Sequence, residues 1–154
     1  MDISNILMPT DFSEQSKAAV NYAVDLARKY HAKLHIIHVF DENVFDPAFF
    51  STSDENAEKY FKKVREGFEA EVDALFENHD TSGINIITVL ANGSAFAEII
   101  KYAKANSTDL IVMGTHGRSG LSTILLGNVT EKVVHKAPCP VLTVRHPDYE
   151  FEAL

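Results

Sequence analysis

Cysteine is almost absent from this chain of 154 residues, where Cys139 stands alone. A single thiol excludes an intramolecular disulfide and any Cys-x-x-Cys redox or zinc motif, and a reducing cytosol is the simplest compartment for it. Basic charge is also scarce. Lys and Arg number 14 against 22 Asp and Glu, for a net charge of −8. That balance argues against a general nucleic-acid surface and against an anionic membrane surface. No apolar run approaches the length of a membrane span. Met1-Asp2-Ile3 lacks the basic start of a signal peptide. Internal repeats and low-complexity segments are missing too. What remains is a cytoplasmic globular chain, read as a single domain over residues 1–146 with a tail at 147–154.

Hydrophobic residues make up 45% of the chain, enough for a substantial core without metal or disulfide staples. Their periodicity alternates along the chain. Ile3 to Met8 reads as a buried strand, stopped by Pro9-Thr10-Asp11. Ser13 can cap a helix whose stripe is Ala19, Tyr22, Ala23, Leu26, Ala27 and Tyr30. Lys33 to Phe40 is the second strand. Asp41 to Ser53 carries Phe45, Phe49 and Phe50 without clear periodicity, which suggests a loop packed over a neighbour or a site mouth. A long amphipathic helix then runs from Asp54 to about His79, with Phe61, Phe68, Val72 and Leu75 on its apolar face.

Ile84 to Leu90 forms the third strand, and Asn92-Gly93-Ser94 the turn and cap before a helix lined by Phe96, Ile99, Ile100 and Ala103. Leu110 to Met113 is the fourth strand. Asn128 with Glu131 resembles a capping box opening a helix lined by Val129, Val133 and Val134. Val141 to Val144 closes the series after Pro138-Cys139-Pro140. Five short apolar strands alternating with amphipathic helices predict an α/β fold, one parallel sheet doubly wound with helices on both faces.

Ligands of such sheets bind beyond the carboxyl ends of the strands, where strand order reverses. The richest strand ends here are Pro9-Thr10-Asp11 and Gly114 to Gly117, which would share a crevice if the first and fourth strands are neighbours. Gly114, Gly117 and Gly127 can take positive φ and let backbone approach a ligand. The helix after Gly127 offers unpaired amides to phosphate oxygens. His116 and Arg118 can add charge-assisted bonds, and Asp11 can accept from ribose hydroxyls. His35 and His38 sit three apart on a strand and so point to opposite faces. No metal-ligand cluster, nucleophile elbow or triad is visible.

Gly114-x2-Gly117-x9-Gly127, the opening Ile6 to Ser13 (ILMPTDFS) and the end Ala137 to Val144 (APCPVLTV) together resemble the nucleotide-binding universal stress proteins, over the whole chain. The resemblance implies a Rossmann-like five-stranded parallel sheet of order 3-2-1-4-5 and homodimers formed through the last strand. It implies that Pro9, Thr10, Asp11 and Val39 hold adenine and ribose. Met113, Gly114, His116 and Gly117, with Gly127, Asn128, Val129 and Thr130, would line the rest of the nucleotide. The implied ligand is ATP, with ADP or AMP as alternatives, and a divalent ion such as Mg2+ commonly accompanies the phosphates. One departure stands out: the family motif ends in Gly-Ser or Gly-Thr, whereas this chain has Gly127-Asn128. Three functions stay open: a dimeric regulatory nucleotide binder, a slow ATPase or phosphotransferase using Asp11, His116 and Arg118, and a nucleotide-free dimeric interaction protein.

Overall fold

The first strand, β1 (Asn5–Pro9), sets the architecture because it is apolar on both sides. Ile6, Leu7 and Met8 are fully buried, as expected for a central strand of a parallel sheet covered on both faces. The computed structural model describes residues 2–40, 54–116 and 126–147. Around β1 run β2 (Lys33–Phe40), β3 (Ile86–Asn92), β4 (Leu110–Gly114) and β5 (Val141–Val144). All pairings are parallel, and the order is β3-β2-β1-β4-β5.

Helices cover both faces. One core layer packs Ile6, Met8, Leu34, Ile36 and Val112 against α2 (Val20–Tyr30) and the end of α3 (Asp54–Phe76), through Ala23, Val24, Ala27 and Leu75. The other packs Leu7, Ile37, Ile111 and Met113 against α4 (Ala95–Ala105) and α5 (Asn128–Lys136), through Ile99, Ala103 and Val133. Full burial of one such aliphatic side chain contributes about 1.5–3 kcal/mol. The doubly wound parallel fold and its strand order match the expectation from sequence.

Several local readings change. Between Ser13 and Tyr30 the chain forms two helices, the short α1 (Glu14–Lys17) and then α2. The break is a tight turn in which Ala19 N donates to Ser16 O at 3.2 Å. The buried face of α2 centres on Val20, Ala23, Val24 and Ala27, which leaves the expected core residues Tyr22 and Tyr30 exposed. Phe61, Val129 and Val134 are likewise exposed rather than core. β1 begins at Asn5 rather than Ile3, because the Asp109 carboxylate takes the Ser4 and Asn5 amides at 2.8 and 2.9 Å. β3 is shifted to Ile86–Asn92 by its ladder with β2, which pairs Leu34 with Ile86 and Phe40 with Asn92. Phe45, Phe49 and Phe50 lie outside the described residues.

Candidate functional site

β1 and β4 are neighbours, with Ile6 opposite Leu110 and Leu7 opposite Ile111. Strand order runs outward from this pair in both directions, so their carboxyl ends flank the crevice that such sheets use for ligands. A cleft of about 360 Å3 opens there. Pro9, Thr10 and Asp11 form one wall, joined by Val39 from β2. Met113, Gly114 and His116 form the other, and Gly127, Asn128, Val129 and Thr130 complete the lining. Every expected site residue among those described therefore lines one cavity. Gly117 and Arg118 lie outside the described residues.

Short hydrogen bonds hold the first wall. Thr10 N extends the β1–β2 ladder to Ile37 O at 2.9 Å. Thr10 Oγ1 accepts from Phe12 N at 3.0 Å and lies 3.0 Å from the Ser16 hydroxyl. Asp11 Oδ1 accepts from Ser13 N at 3.0 Å and from Ser13 Oγ at 2.5 Å. Ser13 Oγ in turn accepts from Ser16 N at 3.2 Å, the expected cap of α1. Asp11 thus faces the cleft and also fixes the turn into α1. Behind the wall, His38 Nδ1 donates to the Thr10 carbonyl at 2.9 Å. Its ring packs with Phe12, at 5.0 Å, and Phe68, stacked at 6.3 Å, and those two rings meet each other at 6.1 Å. His35 lies on the opposite face, with Nδ1 2.8 Å from the Tyr102 hydroxyl.

The glycines serve a purpose other than the one expected. Neither Gly114 nor Gly127 takes positive φ. A Cβ on Gly114 would meet Gln15 O at 2.6 Å and Ser16 Cα at 3.0 Å. Gly114 is therefore required by the close passage of the α1 backbone over the end of β4. Gly127 is extended (φ −57, ψ 147) and is itself the cap position of α5. Its N–H donates to Thr115 O at 2.8 Å, and the buried Thr130 hydroxyl donates to Gly114 O at 3.0 Å. Those two bonds tie the start of α5 to the end of β4.

Asn128 is consequently the first residue of α5 and not its cap, so the expected capping box with Glu131 does not form. Glu131 N instead donates to Gly127 O at 2.9 Å. The amides of Asn128, Val129 and Thr130 have no intrahelical acceptor, and all three residues line the cleft. Ring nitrogen Nδ1 of His116 lies 3.0 Å from the Thr115 hydroxyl. Among the described residues no group of three or more His, Cys, Asp and Glu gathers as a metal site. No helix among them is long and apolar enough to cross a membrane.

Sequence reasoning missed four lining residues: Ser16, Ile37, Ala95 and Ile99. Ile37 carried a signal, since it lies two positions before Val39 on the same side of a strand. Ala95 and Ile99, four apart on α4, became visible only when that helix was placed beside the cleft.

Comparison with known proteins gives the same outline. The model of the universal stress protein family matches residues 3–145. Universal stress protein MJ0531 of Methanocaldococcus jannaschii is 37% identical over 145 residues, covering 94% of this chain and 84% of the relative. The solved structure of MJ0577 from the same organism superposes with a TM-score of 0.71 at 29% identity, over 94% of this chain and 96% of that one. Two more distant structures share the fold. One is a universal stress protein in complex with cAMP (TM-score 0.62, 22% identity, 95% of this chain and 99% of that one). The other is the Archaeoglobus fulgidus protein in complex with dAMP (0.61, 18%, 94% and 100%). With its sheet order, its crevice and a family match over nearly its whole length, the chain belongs to the universal stress protein family.

Proposed function

We propose that this chain binds an adenine nucleotide in the cleft between the carboxyl ends of β1 and β4, and acts as a dimeric regulatory module of the cytoplasm. The observation that carries the reading is convergence: Pro9 to Asp11, Val39, Met113, Gly114, His116 and Gly127 to Thr130 meet around one cavity. Its chemistry is graded as a nucleotide requires. Ile37, Val39, Ile99 and Met113 offer an apolar lining suited to a base. Asp11 supplies a carboxylate for ribose hydroxyls. The first-turn amides of α5, with the positive end of its dipole, suit phosphate oxygens in a chain that is otherwise acidic. Adenine nucleotides are also the ligand class held by the two distant fold relatives.

ATP is the proposed first ligand, with ADP and AMP behind it, and Mg2+ would be carried by the phosphates rather than by a protein cluster. Residue roles are those of binding. Asp11 orients the sugar, His116 contacts the phosphates, Arg118 is proposed from its place in the sequence to add positive charge, and efficient phosphoryl transfer would need a positioned base and cationic clamp beyond these. Calorimetric titration of ATP, ADP and AMP tests the reading. Wild-type chain should bind, and Asp11→Ala should weaken binding about tenfold, the value of one charge-assisted hydrogen bond. Absence of binding by wild type at millimolar nucleotide would overturn it.

A further inference from the structure

On the outer face of α4 and α5, away from the nucleotide cleft, lies a second concavity of about 620 Å3. Phe96, Ala97, Ile100 and Ala105 give it an apolar surface, and Lys101, Lys104 and Lys136 edge it. Lys132 extends the basic rim, with its ammonium 5.1 Å from the centre of the Phe96 ring. The charge here runs against the rest of the molecule. α4 and α5 carry four lysines against two glutamates, whereas the remainder of the chain has ten basic side chains against twenty acidic ones. Of the two glutamates, Glu98 is paired with Lys101 at 3.4 Å. Lys104 of α4 and Lys136 of α5 are exposed, and both side chains are long enough to reach over a bound chain.

We infer that this groove docks an acidic amphipathic segment of a partner protein, with apolar side chains in the strip between α4 and α5 and carboxylates on the lysine rim. Charge complementarity selects this occupant. The floor offers a phosphate polymer a single aromatic ring, Phe96, which already lies under the Lys132 ammonium, and the other floor residues are aliphatic; the acidity of the remaining surface repels any polyanion that extends beyond the groove. A short acidic segment meets only the lysines. Helix-in-groove recognition uses the same division, apolar anchors at i, i+3 or i+4 for burial and charges for register and encounter rate. Because α4 also supplies Ala95 and Ile99 to the nucleotide cleft, the partner would sit on the back of a helix whose start faces the ligand.

The test is a selection of 16-residue displayed peptides on the full-length chain, counter-selected on the Lys101→Gln/Lys104→Gln/Lys136→Gln variant. Peptides retained by the wild type should be enriched in Asp and Glu with Leu, Ile or Phe at helical spacing. They should bind the variant about tenfold more weakly, as expected for three screened ion pairs, and should shift the amide resonances of Phe96, Ile100 and Ala105. The variant should melt as wild type does, since its lysines are exposed, and should bind nucleotide unchanged, which separates this inference from the function proposed above. Selected peptides that lack acidic enrichment, or that map elsewhere, overturn it. So does a labelled single-stranded 20-mer that binds through the same lysines, in favour of nucleic acid. Self-association lost in the variant overturns it in favour of a second copy.

Discussion

Gly114 is where a single atom matters most. Its missing Cβ would press on the Gln15 carbonyl, which belongs to backbone and cannot swing aside. Gly114→Ala should therefore cost about 2 kcal/mol or more, in the range of overpacked cores, and chemical denaturation would measure it. His35 gives the second residue-scale prediction. It is only 5% exposed, its Nε2 is buried without a hydrogen-bond partner, and burial holds its pKa below the ordinary value. The unfolded chain takes up the proton first. Stability due to neutral His35 is thus full above about pH 6.5 and declines as pH falls through the lower folded value. Wild type should lose more melting temperature than His35→Gln between neutral pH and about pH 5, by calorimetry. Burial, and to a lesser degree Asp109, also raises the pKa of Cys139, which favours the protonated thiol over the thiolate. Asp11 was legible because it stands with Pro9 and Thr10 at a strand end, and Asn128 was legible through the family resemblance that Gly127 anchors. The reason for Gly114 was not legible. It depends on a helix backbone passing overhead, which no local pattern records.

At the scale of elements, strands and long helices followed from periodicity, and their edges did not. β3 shifted by two residues because its partner strand sets its limits. The break at Ala18 and Ala19 was hidden because alanine is a strong helix former and gives no stop signal. Phe61, Val129 and Val134 obeyed helical spacing yet stayed exposed, since a stripe wider than the neighbouring surface leaves its margins in solvent. Under the proposed function, ligand choice turns on the start of α5. Gly127 leaves the cap without a side chain, and Asn128 occupies the first helical position, where the family motif carries a hydroxyl. Asn128→Ser should tighten ATP severalfold while leaving AMP nearly unchanged, because only the longer nucleotide places a terminal phosphate beyond the first phosphate. Parallel titrations of both nucleotides check this, and equal changes for the two would refute a contact to the terminal phosphate.

Across the whole molecule the sheet has two edges, and β5 is the shorter of them. Its main-chain groups alternate in direction. Pro140 O and Val144 O accept from Ile111 and Thr115 of the β4 side, so Thr143 directs its N–H to the open edge. Among the described residues nothing pairs with this edge of Val, Leu, Thr and Val, which invites a second strand, and this supports the proposed homodimer. Thr143→Pro would remove one outward donor while sparing the β4 ladder. Sedimentation should then show a dimer for wild type and a monomer for the variant, with the melting temperature little changed; a wild-type monomer would exclude this mode of assembly. A different consequence follows from the imidazole of His38, which joins the cleft wall to the long helix. Its ring hydrogens lie in the magnetic shadow of Phe12 and Phe68 while its N–H holds the Thr10 carbonyl. The protein thereby carries its own spectroscopic gauge. Any ligand that moves the loop after β1 will be written into the proton resonances of one histidine, with no label added and no residue changed.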